Sequence, residues 1–599
     1  MKQSRDAADP SPLRPVALAL AVFGIALGLA FQGHLGADFH TSVPVPARAL
    51  VEVEGAPARI DPVTQTDYRM GVWAFGRHAY TLWTAPWRIF QTEPCHPVEN
   101  GLALHHPVIT QGLLAMPAYL VSGDPLATTN WLILFSALLG ACAMALLVAD
   151  WTALPAAGVV AGLLYAFHPA QIGSPFHLGT KDFTWTLLAL FFARRLFQHG
   201  RWRDALGLGA CAALQMATSF YPLLAAATLA VPFLVWLVWH HGWRRLPLSR
   251  LGVAALVAAL AAWWIFAPYL ELREAGILQR NLRFFAPWSR FAPGGELFPG
   301  WLCLGLLAAA FALGRSRSLA GMQGDPRAAL AIGAFLLLWL ATGGNVEARS
   351  AVLKGAEPPA VNLPNLFAAA RAIVPGLDSV RLPSMLAHGA RMLLCVLAGL
   401  GAAALLRRVP GRYAAATGAL LILLAALDTL QPSLLGGARP VRFASLDLRP
   451  PESTLAFYAR LEALGNDGPM LELPMTSTPM YRFEDAPMQH LLTAFHHRRT
   501  SGCSPSYTPP VVQGVAALAG RIERPGSLAE VRDLGFTTLV VHHPPGRPGA
   551  ERYAVRIARL ARRSRGDLVE IASAEGLTAY ALRARERAAA GQEGQTETE

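Results

Sequence analysis

Long apolar runs almost free of charge recur along this chain, and several end in a short burst of arginines. A helix needs about 20 mainly apolar residues to cross a bilayer, because lipid offers no partner to an unpaired backbone N–H or C=O. Residues 15–33, PVALALAVFGIALGLAFQG, form the first such run, with Lys2, Arg5 and Arg14 before it. No clear A-x-A cleavage site follows and the run is long for a signal peptide, so it reads as a retained anchor with residues 1–14 on the cytoplasmic side. Further spans fall near 127–149, 155–171, 183–197, 205–220, 221–240, 249–270, 299–314, 327–343, 389–406 and 412–430. The expectation is an all-α polytopic bundle of about eleven spans. Composition agrees, since only 15% of the 599 residues are charged against about 25% in soluble domains.

Basic residues set the orientation. Clusters at Arg194, Arg195, Arg201 and Arg203, at Arg244, Arg245 and Arg250, at Arg315, Arg317 and Arg327, and at Arg407, Arg408 and Arg412 follow every second apolar run. Placing all four inside, as positive-inside topology requires, lets the spans alternate without conflict. The loops 34–126, 271–298 and 344–388 and everything after residue 430 then lie outside. Residues 108–122, VITQGLLAMPAYLVS, would invert that order if they crossed, so they read as an interfacial or re-entrant segment ahead of the polytopic module 127–430. The net charge of +12 resides mainly beside these spans, which argues against a nucleic-acid partner and for contact with membrane lipids.

The outer loop 34–126 is about 90 residues long, and loops of that length are usually functional when ordered. Within it, RMGVWAFGRHAYTLWTAPWRIF (69–90) mixes aromatic and basic residues at helical spacing, as a helix resting in the membrane interface does. Its carboxylates are Asp38, Glu52, Glu54, Asp61, Asp67, Glu93 and Glu99. One held near the surface can act as a general base on a hydroxyl or hold divalent Mg or Mn with a phosphate; each is equally readable as a solvated charge. No other cofactor is expected. His105, His106 and His177 stand at span mouths, where a histidine can orient a phosphate or simply satisfy the interface. Loop 271–298 carries Arg273, Arg280, Arg283 and Arg290, suited to phosphate or to lipid headgroups. Six cysteines are scattered without a CxxC pair, so neither zinc nor a disulfide framework is indicated; Cys95 and Cys503 both fall outside, leaving room for one disulfide.

After residue 431, strand and helix patterns alternate through GPMLELPM, a helix near 526–534, TTLVVHH, a helix near 550–563 and the pair LVEIAS/TAYALR. They predict a soluble extracytoplasmic α/β domain over 431–584, followed by a polar, disordered tail at 585–599. No G-x-G-x-x-G, P-loop or G-x-S-x-G is present.

The order of these features resembles a largely uncharacterised group of bacterial membrane proteins related to the GT-C-fold glycosyltransferases. TDYRMGVWAF (66–75) is similar to the group's D-P-x-x-N-x-W stretch, and AMPAYLVSGDPLATTNWLILFSALLGACAMALL (115–147) to its L-P-x-Y…G-N-P…N-L-L pattern. YAFHPAQIGSPFHLGTKDFTWTLLALFFARRLF (165–197) resembles its F-S-P…G-H-L…Q-W-L-P-L segment, and VPGLDSVRLPSMLA (374–387) its V-P-G-F-D-x-L-R-V-P-A-R-F. MLELPM (470–475) and LGFTTLVVHH (534–543) look like its C-terminal strands. The resemblance implies transfer of a sugar from a polyprenyl-phosphate donor to a glycan or lipid acceptor at the outer face of the inner membrane. It puts Asp67 in the place of the catalytic carboxylate, Asp38 as second choice, and His177 at the histidine of the G-H-L match. Arg381 is the arginine favoured for the departing phosphate. Gly71, Thr184 and His388 depart from the pattern's Asn, Gln and Arg, which puts activity itself in question. The competing reading is a non-enzymatic scaffold, flippase or transporter; few ionisable residues within the spans and no inverted repeat speak against transport.

Overall fold

In the computed structural model, residues 13–583 are described except 54–55, 243–245, 279–283, 314–324, 344–363, 375, 432–437, 439, 476–484, 505–506, 508, 545–547 and 565. Arg244, Arg245, Arg280, Arg283, Arg315 and Arg317, and the tail 585–599, therefore lie outside the described residues. The chain forms two compact units. The first takes residues 1–64, 74–84 and 106–448, the second 65–73, 85–105 and 449–599.

The first unit is helical. A helix coincides with every expected span, and among the described residues five are long and apolar enough to cross a membrane: Pro125–Thr152, Phe220–His241, Leu248–Glu274, Pro383–Leu406 and Gly411–Leu430. The remaining expected spans are shorter or less apolar helices, among them Pro155–Ala166, Trp301–Leu313 and Arg327–Thr342. Leu248–Glu274 turns most of its apolar surface outward, with Leu256, Leu260 and Trp263 at 58%, 59% and 75% exposure. Such a surface belongs in lipid. The opposite case is Leu386–Leu406, buried almost throughout. Its sequence LAGLGAAALL lets neighbours approach closely: a Cβ at Gly401 would collide with the Leu306 carbonyl and lie 3.0 Å from the Ala310 nitrogen.

The loop after the first span is more ordered than an interfacial segment. Ser42–Pro46 (β1) pairs antiparallel with Phe443–Asp447 (β4), and Leu50–Val53 (β2) with Ala56–Ile60 (β3). The stretch 69–90 is helical up to Thr84, as part of Pro62–Thr84, and Trp83 and Trp87 at its end are exposed. Val72, Trp73, Phe75, Arg77, His78 and Ala79 are all buried. At Gly112 the backbone of Ile109–Ser122 comes so close to His78 that a Cβ would sit 3.1 Å from its carbonyl carbon, so this helix covers the face that His78 lies on. Ile109–Ser122 itself is 14 residues long, about 21 Å of helix, and shorter than the hydrocarbon core.

The second unit carries a four-stranded sheet ordered β5-β6-β8-β7, from Met470–Leu473 (β5), Thr538–His542 (β6), Leu568–Ala574 (β7) and Leu577–Leu582 (β8). β5 and β6 are parallel, and the other neighbours antiparallel. Side chains alternate across it with period two. Leu471, Leu473, Leu539, Val541 and Tyr580 pack with helices Pro510–Gly520, Ser527–Asp533 and Pro548–Arg563. Met470, Val540 and Ala579 face Phe457, Tyr458 and Leu492 of Glu452–Ala463 and Asp485–His496. Residues 499–501 run beside Met470, and residues 93–96 beside 500–502, through Met470 N–H to Arg499 O at 2.8 Å, Cys95 N–H to Gly502 O at 3.0 Å and His96 N–H to Thr500 O at 2.9 Å. A disulfide, Cys95–Cys503, closes this seam.

Candidate functional site

The segment 168–183, HPAQIGSPFHLGTKDF, joins helices Pro155–Ala166 and Thr184–His199 through single helical turns at Pro169–Ile172, Pro175–His177 and Leu178–Lys181. Polar contacts hold it. His168 Nε2 donates to Phe298 O at 2.8 Å while its Nδ1 accepts Ala170 N–H at 3.0 Å. Lys181 Nζ donates to Ala170 O at 2.9 Å, and Gln171 Nε2 to Lys181 O at 2.9 Å. Asp182 accepts from Thr184 N–H at 2.9 Å and from Gln111 Nε2 at 3.3 Å. From Leu386–Leu406, Arg391 reaches Leu164 O, Tyr165 O and Gln171 Oε1 at 3.1, 3.0 and 2.9 Å. The backbone atoms named lie in loops or at helix ends and lack intrahelical partners, so these side chains satisfy them and fix the segment.

The result is a pinned loop that presents a buried cation. Lys181 is 3% exposed. Burial pulls its ammonium down to about 8, opposed by the charge of Glu296. Burial also pushes the Glu296 carboxyl up, but its ion pair with Arg290 and the field of Lys181 outweigh that and hold it below the usual range. The imidazole of His177 falls to about 4 through burial, then through Lys181 and His106; burial alone takes His106 to about 4. Near neutral pH the cluster is therefore Lys181⁺, Arg290⁺ and Glu296⁻ with two neutral imidazoles. His388 lies within the field of Lys181, Arg391 and Arg290. Beside the segment a small, partly open cleft is lined by Phe31, Ile133 and Leu178 and, at its polar side, by Gln171, Asp182 and Thr184.

Of the residues singled out by sequence, His177 and His106 thus share one electrostatic neighbourhood, and His106 Nδ1 lies 3.3 Å from Ser219 Oγ. Arg381 is half-buried, with its guanidinium 5.6 Å from the Phe284 ring centre. Asp38 is exposed and shapes the turn into β1, accepting His40 N–H at 2.9 Å. Asp67 and His105 belong to the second unit. Asp67 is exposed on Pro62–Thr84 and, after burial, adds to the upward push on the Tyr68 phenol. His105 lies 5.7 Å, ring centre to ring centre, from the fully buried His490, which itself meets Trp73 edge-on at 4.1 Å. Sequence reasoning passed over Lys181, Asp182, Glu296 and Arg391. A Lys-Asp pair at the mouth of a span, where charge is otherwise absent, was the available signal.

Among the described residues no group of three or more His, Cys, Asp or Glu side chains converges closely enough to hold a metal. Glu296 lies against Arg290 and in the field of Lys181, which disfavours a divalent cation there. The residues of this cluster do not fit the Mg or Mn considered above.

No family model matches the chain, and no curated protein does. Among solved structures, the cryo-EM structure of arabinofuranosyltransferase AftD from Mycobacteria aligns over 95% of this chain and 40% of its own, at 15% identity and a TM-score of 0.52. A point mutant of that enzyme aligns over 95% and 42%, at 16% identity and a TM-score of 0.51. The chain thus spans about two-fifths of the length of those structures. At such identity the likeness is one of architecture, and the architecture is the GT-C fold of membrane glycosyltransferases.

Proposed function

We propose that the chain is a glycosyltransferase of the bacterial cytoplasmic membrane, moving a sugar from a polyprenyl-phosphate donor to an envelope glycan or lipid at the outer face. The observation that carries this reading is the buried Lys181, with Arg290 beside it, on a pinned loop of a GT-C-fold helical unit. In transfer, the acceptor oxygen bonds to the anomeric carbon as the bond from that carbon to the phosphate oxygen breaks. The lipid phosphate leaves with the electron pair, and the acceptor proton goes to a carboxylate. Lys181 and Arg290 are suited to the departing phosphate, since fixed cations in a dry site stabilise charge as it develops. Neutral His177 and His106 would donate hydrogen bonds to it. Asp67 keeps the role of base that the resemblance implies. The disulfide supports an outer location for the second unit, because such bonds persist in oxidising compartments.

The test is a glycolipid and surface-polysaccharide profile by mass spectrometry of a deletion strain complemented with wild type, Asp67→Ala or Lys181→Ala. The expected result is a sugar missing on deletion and restored by wild type alone. Rescue by Asp67→Ala removes that residue from the mechanism; rescue by Lys181→Ala removes the phosphate site. An unchanged profile on deletion ends the transferase reading.

A further inference from the structure

Helix Pro548–Arg563 divides its residues sharply. Ile557 is fully buried, and Tyr553, Ala554, Leu560 and Ala561 pack with it onto the core of the second unit. The other side exposes Arg552, Arg556, Arg559, Arg562 and Arg563. Positions 552, 556, 559 and 563 are four, three and four residues apart, so they form one stripe along about 16 Å of helix axis. Glu551 is the single acid of the helix.

Arginines elsewhere on this unit find carboxylates: Arg521 pairs with Glu530 at 2.6 Å and Arg449 with Glu452 at 2.9 Å. On the stripe, Arg556 pairs with Glu523. Arg559, Arg562 and Arg563 have no carboxylate within 4.0 Å among the described residues. Cations in a last helical turn are favoured by the helix dipole. That accounts for Arg562 and Arg563, but not for Arg559 one turn earlier on the same stripe.

The geometry points to an anionic glycan as the occupant: a polymer that carries carboxylate or phosphodiester groups along its length. A helix that binds lipid keeps an apolar face for the acyl boundary. Here that face is already packed on the sheet, and Val555 is the exposed apolar side chain left among the arginines. What remains is a straight cationic ridge, and guanidinium forks match carboxylate and phosphate oxygens two at a time. The inference names an acceptor or tether class for the proposed transferase and rests on that reading only for the outer location of the unit.

The full chain in neutral-lipid nanodiscs is assayed by interferometry against immobilised polygalacturonate, a phosphodiester-linked glycan and dextran, and against phosphatidylglycerol vesicles. Binding is expected to one or both charged polymers and not to dextran, weakening as salt rises. Arg559→Glu/Arg563→Glu should bind about tenfold more weakly or worse, whereas Arg460→Glu, exposed on Glu452–Ala463, should bind as wild type. Equal binding by the double variant, equal binding to dextran, or a charge-dependent preference for vesicles over polymers overturns the proposal. Asp67→Ala should leave the binding intact, so failure of the transfer chemistry is told apart from failure of this inference.

Discussion

An ammonium taken out of water loses several kcal/mol of hydration unless the protein replaces it. At Lys181 the replacement is partial: one hydrogen bond to Ala170 O and the field of Glu296. The consequence is a charge that disappears earlier than a free lysine's, at about pH 8 rather than near 10.5. A proton is lost as pH rises, so phosphate binding through Lys181 should weaken above about pH 8. Donor kcat/KM measured from pH 6 to 10 is expected to fall on that limb, and Lys181→Arg should carry the limb beyond the range. A flat profile through pH 9 would remove Lys181 from donor binding. No inflection is expected near 6.5 from His177 or His106, which burial keeps neutral down to about pH 4. His177 was legible in the sequence because a histidine at a span mouth stands out. The partners Glu296 and Arg391 were not, since each comes from a segment more than a hundred residues away and only the fold brings them near.

Among the elements, Leu386–Leu406 shows best what the sequence carries. Its run of Ala and Gly signalled close packing, and the structure gives that signal a partner in Trp301–Leu313. Gly401→Ala should force the two backbones apart and destabilise the protein by about 2 kcal/mol. Gly252→Ala, in the lipid-facing Leu248–Glu274 with open space around it, should be neutral or slightly stabilising. Thermal unfolding in detergent compares the two, and an equal response would mean the approach at Gly401 is not tight. Strands β5 to β8 and helices Ser527–Asp533 and Pro548–Arg563 were legible from period and turn residues, whereas Asp485–His496 and Pro510–Gly520 were not read from the sequence. Two further features were not: the pairing of β1 with β4, whose register spans about 400 residues, and the burial of Pro62–Thr84. An aromatic-basic helix looks alike whether lipid or protein covers it, and the close approach at Gly112 marks where protein covers this one.

At the scale of the molecule, orientation is the statement with the most consequences. A membrane-impermeant reductant followed by a maleimide dye should label Cys95 and Cys503 on intact spheroplasts. Labelling only after lysis would turn the whole topology over. The disulfide also joins residues 408 apart in sequence. Ribosomes add roughly 5–20 residues per second, so Cys95 is made about 20 to 80 seconds before its partner. For that interval the early thiol is open to mispairing with other thiols, and its segment waits for a sheet not yet synthesised. The second unit is thus a late product of biogenesis, completed only when its two distant pieces meet. A strain deficient in thiol oxidation should accumulate the chain with its helices inserted and this unit unfinished.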